Sequence, residues 1–247
     1  MDEDLWVRVG GGVVRVPGGQ RWGPVDVENP PPGGPWKALE SDGRLVGWAP
    51  QSAGIGAPRR AIEESQHLVA DRRAHLVERL GHKLRSSVLA LQESARQAAF
   101  GRPELLEQLY DQAQEVQRRA SALEAVAVEP TEQARSVVLG AVLNLAAPHA
   151  QREVPPEAIV HGAERVLVEA LTRTYEWMGG QGSGIRGTRV KEWWQLLFMA
   201  APERSPLPVP ELGAPLVGLL VDAHLDGWLD SPGDGRVVIY LPAVTRG

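Results

Sequence analysis

His82 is the residue with the clearest potential for chemistry, because a long helical pattern places its side chain away from the apolar face of the helix. Side-chain directions around the helix axis advance by about 100° per residue, so the His82 side chain lies at about 200° from that of Leu80. Gly81 and Ser86 put little bulk beside the imidazole, and Glu78 precedes it by one turn. An imidazole presented in this way can carry a phosphoryl group on one nitrogen while a carboxylate orients the other.

Two long helices are predicted to position His82. The first runs over residues 59–100 and ends at Gly101-Arg102-Pro103. The second carries apolar residues at alternating steps of three and four, namely Leu106, Leu109, Ala113, Val116, Ala120, Leu123 and Ala127. A tight turn between them predicts an antiparallel hairpin, and two hairpins pairing as a homodimeric four-helix bundle would bury the apolar stripes. The alternative is that the hairpin packs onto the C-terminal domain.

The stretch from Gly81 to Leu91 resembles the phospho-accepting box of sensor histidine kinases, usually His-Glu-Leu-Arg-Thr-Pro-Leu. The matching positions are His82, Leu84, Arg85, Ser86 and Val88. Lys83 stands where the family has an acidic residue, and Ser87 where it has proline. The stretch is also similar to the His-x-Leu-Lys-Gly-Ser-Ser box of histidine-phosphotransfer domains, with Arg85 as the cation. The competing interpretation is an ordinary exposed histidine on a bundle helix.

Residues 212–242 resemble the closing segment of the histidine-kinase ATPase domain. The framework positions that they keep are Gly213, Leu216, Val217, Val221, His224, Gly227, Ser231, Gly233, Gly235, Leu241 and Pro242. A helical hairpin followed by an α/β layered domain is the order found in sensor kinases, so the resemblance covers roughly residues 60–242. This ordered combination favours a functional role for His82.

The resemblance also indicates that the nucleotide chemistry is lost, so we expect no cofactor. The family's helix carries Asn residues that hold Mg²⁺, whereas this chain has Glu169 and Arg173 at those places. A guanidinium cannot ligate a cation. The glycine-rich stretch 179–184 has no Asp to read adenine and no Gly-Lys-Ser/Thr, so it is interpreted as a helix-to-strand connector.

Residues 1–57 predict a small β-rich module. Strands over 5–9 and 13–16 flank Gly10-Gly11-Gly12, and strands over 36–40 and 44–48 flank Ser41-Asp42-Gly43. Four of the eight tryptophans lie here: Trp6, Trp22, Trp36 and Trp48. We interpret them as the core of a module too small to be filled by aliphatic residues, with an aromatic docking surface as the alternative.

The C-terminal part alternates between helix and strand patterns. We expect a helix or a strand–helix mixture over 133–147, a strand over 158–160 and an amphipathic helix over 162–178. A strand over 189–199, a proline-rich connector over 202–210, a helix over 212–225 and a strand over 236–241 complete the prediction.

Composition excludes several classes of function. The chain of 247 residues has no cysteine, which rules out thiolate sites and disulfides, and its net charge of −5 argues against general binding to nucleic acid. No apolar run approaches the roughly 18 residues that span a bilayer, so we expect a soluble, cytoplasmic protein. His75 and His82 lie about 10.5 Å apart along a helix, too far for one zinc ion with bonds of about 2 Å, and no metal site is predicted.

The prediction is therefore an α+β protein with three domains: a β-rich module (1–57), a dimerising helical hairpin (58–128) and a degenerate ATPase-like α/β sandwich (129–247). By this resemblance His82 exchanges a phosphoryl group with a response-regulator receiver domain, and Glu78 orients its ring. Arg85, with Arg79 or Lys83, would offset the charge, and Ser86 would bond the phosphoryl oxygens. The alternative is a non-catalytic adaptor. An active ATP-dependent kinase is the least expected.

Overall fold

The computed structural model describes residues 4–25, 30–99, 105–127, 132–200, 212–232 and 235–244. These residues form five helices and three sheets, a mixed α+β architecture. The chain divides into two compact units: Met1–Asp71 with Pro130–Gly247, and Arg72–Glu129. Three predicted features lie outside the described residues: the Gly101-Arg102-Pro103 break, the connector over 202–210 and the framework glycine Gly233.

The N-terminal residues of the larger unit form an antiparallel sheet. Its strands are β1 (Leu5–Val9), β2 (Gly12–Val16), β3 (Arg21–Trp22), β4 (Trp36–Ser41) and β5 (Arg44–Pro50), in the order β3-β2-β1-β5-β4. The two predicted hairpins are confirmed as β1–β2 and β4–β5. The short edge strand β3 was not predicted, because two exposed residues carry no alternation that a pattern could detect.

The two faces of this sheet bury different residues. Trp6 and Trp48 are buried on one face. There the Trp36 and Trp6 rings pack edge to face, with 6.4 Å between their centroids. These three tryptophans form the aromatic core that the sequence predicts, whereas Trp22 is 39% exposed and lies outside it. The other face packs alternate strand residues against the first turns of helix α1 (Ala57–Ala99), in a cluster of Leu5, Val7, Val9, Val14, Leu39, Ala49, Ala53, Ala57 and Ala61.

Helix α1 continues into the smaller unit, which also contains helix α2 (Leu106–Ala127). Leu76 and Leu80 of α1 are buried there, as are Ala122 and Val126 of α2. None of the seven residues of the predicted α2 seam is buried in the single chain, and Leu106 is 60% exposed. The apolar seam of α2 therefore remains largely open to solvent.

The rest of the larger unit is an α/β domain. Its elements are β6 (Arg135–Val138), α3 (Leu139–Ala146), β7 (Gln151–Glu153), β8 (Ile159–Gly162), α4 (Glu164–Trp177), β9 (Gly184–Val190), β10 (Trp193–Met199), α5 (Ala214–His224), β11 (Trp228–Asp230) and β12 (Arg236–Pro242). Strands β6 and β8 pair separately, and the main sheet has the order β11-β12-β10-β9-β7. The alternate residues Trp194, Leu196 and Phe198 of β10 are buried, which is the pattern of a sheet with a covered face, and Trp193 at the start of the strand is buried as well.

One sequence prediction is wrong here. The single strand expected over 189–199 is two antiparallel strands, β9 and β10, joined at Lys191 and Glu192. Lys191 adopts a positive φ of 51° to close this turn. Because such turns usually contain Gly, Asn or Asp, a lysine gave no signal in the sequence. The segment 133–147, expected to be a helix or a mixture of strand and helix, contains the strand β6 followed by the helix α3.

The β1–β2 turn of the N-terminal sheet lies directly against the end of α5 and the edge strand β11. The Gly11 N–H donates to the Gly227 carbonyl at 2.6 Å. A Cβ on Gly12 would collide with the Trp228 ring, and one on Gly23 would lie 2.8 Å from it. The glycines around this turn are therefore required by a close approach between distant segments, in addition to the turn itself.

A charged pair accompanies this contact. Arg21 donates to the Asp222 carboxylate at 2.7 Å. Its guanidinium also lies over the Trp228 ring, with Cζ 4.3 Å from the ring centroid. The Asp222 side chain is only 2% exposed, so the pairing with Arg21 offsets part of the cost of burying its charge. Nearby, burial lowers the pKa of the Arg8 guanidinium from its ordinary value, and the attraction of Asp226 opposes that shift. Both arginines thus connect the N-terminal sheet electrostatically to the α5–β11 corner.

Arg21→Ala should lower the free energy of unfolding by about 2 kcal/mol, because it leaves a buried carboxylate without its charged partner. The measurement is urea denaturation followed by tryptophan fluorescence. The matched control is Arg15→Ala in β2, since Arg15 pairs with Asp4 at the surface and its loss should cost less than about 1 kcal/mol. The exchange Arg21→Asp with Asp222→Arg should recover part of the loss. Equal losses for Arg15→Ala and Arg21→Ala would contradict this account.

Candidate functional site: the His82 turn and helix α4

All four predicted site residues lie on α1 within the smaller unit. His82, Glu78, Arg85 and Ser86 are each exposed, as is Lys83. Leu80 is completely buried, which sets the phase of the helix. His82 follows Leu80 by two residues. Its side chain points away from the buried side of the helix, because the directions of successive side chains differ by about 100° around the helix axis.

The carboxylate expected to orient the ring does not do so in this conformation. Within the described part of the chain, no hydrogen bond joins Glu78 to the His82 imidazole. The Ser86 hydroxyl instead donates to the backbone carbonyl of His82 at 3.1 Å. The structure therefore places the His82 side chain at the surface of the helix, where it is exposed.

Helix α2 contributes a residue that sequence reasoning missed. The Arg119 Nη1 donates to the backbone carbonyl of Lys83 at 3.0 Å, directly after His82. Its Nε donates to Glu115 at 2.5 Å, and Glu115 also accepts from Arg118 at 2.8 Å. The Glu115–Arg119 spacing of four is visible in the sequence, but nothing local indicates that this arginine reaches α1.

The other histidines do not combine into a metal site. His67 and His75 are exposed on α1, and His149 and His161 are exposed in the α/β domain. Among the residues that the structure describes, no group of three or more His, Asp or Glu side chains could hold a metal ion.

Helix α4 carries the second arrangement of interest. Arg173 has a side chain only 8% exposed, and its Nε donates to Glu169 at 2.8 Å. Its Nη1 donates to Glu176 at 3.2 Å, so one guanidinium bridges two carboxylates of its own helix. The sequence placed Glu169 and Arg173 at these positions, but the second carboxylate from Glu176 was not anticipated.

The glycine-rich stretch connects α4 to β9 as predicted, but the loop expected over 179–187 ends earlier, because β9 begins at Gly184. Gly179, Gly180 and Gly182 adopt positive φ angles, and the Ser183 N–H donates to the Gly180 carbonyl at 3.0 Å. The Ser183 carbonyl accepts from the Gln151 N–H at 3.1 Å, and its side chain is fully buried. This connector is therefore hydrogen-bonded into the domain through β7.

Two framework glycines are explained by close packing. A Cβ on Gly213, just before α5, would lie 2.8 Å from the Trp177 ring at the end of α4. A Cβ on Gly227 would lie 2.6 Å from the Tyr240 carbonyl of β12. Both positions need glycine because another element occupies the space of a side chain.

Comparison with known proteins gives the following. No family model matches this sequence, and no curated protein matches it. Among solved structures, the chain is similar to the Acinetobacter baumannii histidine kinase AdeS, with 15% identity over 66% of this chain and 98% of that chain and a TM-score of 0.49. The mycobacterial sensor histidine kinase MprB matches with 20% identity over 46% and 99% of the two chains and a TM-score of 0.34. A histidine kinase from Burkholderia phymatum matches with 12% identity over 71% and 99% and a TM-score of 0.31. At these low scores the likeness does not by itself assign a family.

No described helix is both long enough and apolar enough to cross a lipid bilayer.

Removing the carboxylates around Arg173 should destabilise the protein more than removing Arg173 itself. Arg173→Met leaves two partly exposed carboxylates, which water can solvate, and should cost about 1 kcal/mol. The double variant Glu169→Met with Glu176→Met leaves a buried guanidinium unpaired and should cost about 3 kcal/mol. Urea denaturation of the three proteins measures both losses, and the reverse order would contradict the arrangement described here.

Proposed function

We propose that this chain is a histidine-kinase-like phosphotransfer protein of two-component signalling. His82 accepts a phosphoryl group from the aspartate of a response-regulator receiver domain and passes it to another, without ATP-dependent autokinase activity. The observation that carries the proposal is the exposed His82 side chain on α1, within a stretch that resembles the phospho-accepting box in sequence. A receiver domain and a second copy of this chain are the proposed partners, and the cytoplasm is the proposed location.

The proposed step is a nucleophilic displacement at phosphorus. The lone pair of one His82 ring nitrogen forms the N–P bond, the acyl P–O bond of the aspartyl phosphate breaks, and the aspartate leaves as a carboxylate. The proton on the other ring nitrogen is then free to pass to water or to Glu78. Lys83 and Arg85 follow His82 by one and three residues and would offset the phosphoryl charge. The Ser86 hydroxyl would exchange its bond to the His82 carbonyl for one to a phosphoryl oxygen.

The hairpin and the dimer belong to the same proposal. The hydrogen bond between Arg119 and the Lys83 carbonyl supports an antiparallel pairing of α1 and α2. In such a pairing, each step forward along α1 faces a step backward along α2, so the numbers of two facing residues always have the same sum. The same register would set Leu80 opposite Ala122 and Leu76 opposite Val126, and all four of these residues are buried. Beyond His82 the register leaves three large apolar side chains exposed, namely Leu89, Leu106 and Tyr110. A second hairpin would cover them in a four-helix bundle.

His82→Ala should abolish phosphoryl acceptance from a radiolabelled receiver domain. The matched control is His75→Ala, which removes another exposed histidine of α1 two turns earlier and should label like the wild type. Only a protein with the His82 imidazole offers the presented nucleophile, so the expected signal is a label on the wild type and on His75→Ala alone. Equal labelling of His82→Ala would reject the phosphotransfer role.

A non-catalytic adaptor is the second candidate function. It is favoured by Lys83 next to His82, where the family has an acidic residue. An adaptor would bind the same receiver or kinase equally well before and after His82→Ala and would never acquire the label. A pull-down of the receiver or kinase with the wild type and with His82→Ala, read together with the labelling assay, distinguishes an adaptor from a phosphotransfer protein.

The proposed loss of nucleotide binding rests on helix α4. Where the family places an amide that holds Mg²⁺, this chain has the Arg173 guanidinium, which is paired with the carboxylates of Glu169 and Glu176. A fixed positive charge supplies no oxygen ligand to a cation and repels it. The degenerate domain is accordingly proposed to dock a partner.

We expect no binding of a fluorescent ATP analogue at micromolar concentration, with or without Mg²⁺, because Arg173 supplies no oxygen ligand and occupies the carboxylates of Glu169 and Glu176. Fluorescence anisotropy is the measurement, and an active histidine kinase assayed in parallel is the positive control. Saturable, Mg²⁺-dependent binding at micromolar affinity would instead support the ATP-dependent kinase.

A further inference from the structure

The turn of α1 that carries His82 is composed of residues that weaken a helix. Gly81 stands in the middle of a helix of 43 residues, and a Cβ built there would meet nothing within 4 Å. Glycine is therefore not needed for packing at this position, and it is among the least favourable residues of a helix interior. Ser86 adds a bond from its hydroxyl back to the His82 carbonyl, a pattern associated with helix bending.

A side chain from α2 is bonded to this same turn. Arg119 donates from Nη1 to the Lys83 carbonyl at 3.0 Å, while its Nε is held by the Glu115 carboxylate at 2.5 Å. The Arg119 side chain is only 14% exposed, in contrast to the 37% exposure of Arg118. Two consecutive carbonyls, those of His82 and Lys83, thus accept a side-chain bond in addition to their place in the helix.

We infer that Arg119 is a positioning residue for His82: held by Glu115, its guanidinium braces the α1 turn that presents the imidazole. It acts through the backbone, and no contact with the ring is involved. The inference that this bracing serves phosphotransfer rests on the proposed function, whereas the bracing itself does not.

The geometry also explains why the residue is arginine. Nε and Nη1 belong to one rigid, planar group, so a single side chain can bind Glu115 on its own helix and Lys83 on the other at once. An ammonium group offers the same charge at a single point and cannot reproduce both bonds in that arrangement. Arg119→Lys should therefore fail to replace Arg119, although it keeps the charge.

Hydrogen–deuterium exchange of the 247-residue chain tests the bracing. In Arg119→Ala and in Arg119→Lys, peptides that cover residues 83–88 should exchange about tenfold faster, the effect expected from losing one hydrogen bond to a charged group. The matched control is Arg118→Ala, which removes the neighbouring arginine bonded to the same Glu115 and should leave this segment unchanged. Similar exchange in Arg118→Ala and Arg119→Ala would overturn the inference, as would wild-type exchange in Arg119→Lys.

Transfer kinetics test the link to His82. With a labelled receiver domain, Arg119→Ala should lower the maximal rate about tenfold and leave the half-saturating concentration unchanged, because the bracing affects the geometry of attack and not the docking of the partner. A loss of folded protein would lower the labelled fraction and not the rate constant. An unchanged maximal rate would overturn the positioning role. A wild type that takes up no label rejects the proposed function, and the exchange experiment then decides the bracing by itself.

Discussion

A close approach of two backbones, at residues separated by more than two hundred positions, holds the larger unit together. The Gly11 N–H and the Gly227 carbonyl are bonded at 2.6 Å, and the glycines on both sides leave no room for a Cβ. This approach covers Trp228 and takes the Asp222 carboxylate out of water, which makes Arg21 necessary. Apolar cover and charge compensation therefore depend on the same contact, and neither would persist if the turn at Gly11 were displaced.

The N-terminal sheet connects more than one part of this unit. Alternate residues of β1 and β2 face the first turns of α1, and the Ser65 hydroxyl of that helix donates to the Arg8 carbonyl. The turn between the same two strands contacts the end of α5 and the edge strand β11. Because an uncovered edge strand tends to pair with other chains, this cover also protects the main sheet. The first turns of α1 and the α/β domain consequently share one compact unit.

Two arginines illustrate how the same local spacing leads to different results. Arg119 and Arg173 each bind a glutamate four residues earlier on their own helix, and each is mostly buried. The remaining donors of Arg173 reach Glu176, so its charge is satisfied within α4. Those of Arg119 reach a backbone carbonyl on another helix, next to His82. The first arrangement is confined to one helix, and the second joins two helices at the residue after His82.

What the sequence by itself determined is local. The alternation of β1, β2, β4 and β5 and the helical periods of α1, α2, α4 and α5 predicted those elements, and the phase of α1 set by Leu80 predicted an exposed His82. The short strands β3, β7 and β11 escaped prediction because their hydrogen-bonding partners define them. Only the tertiary structure decided that Gly12 faces Trp228, that Arg21 neutralises Asp222 and that Arg119 binds the Lys83 carbonyl. Each of these contacts joins residues far apart in the chain, and a periodic pattern describes the face of an element but not what lies against it.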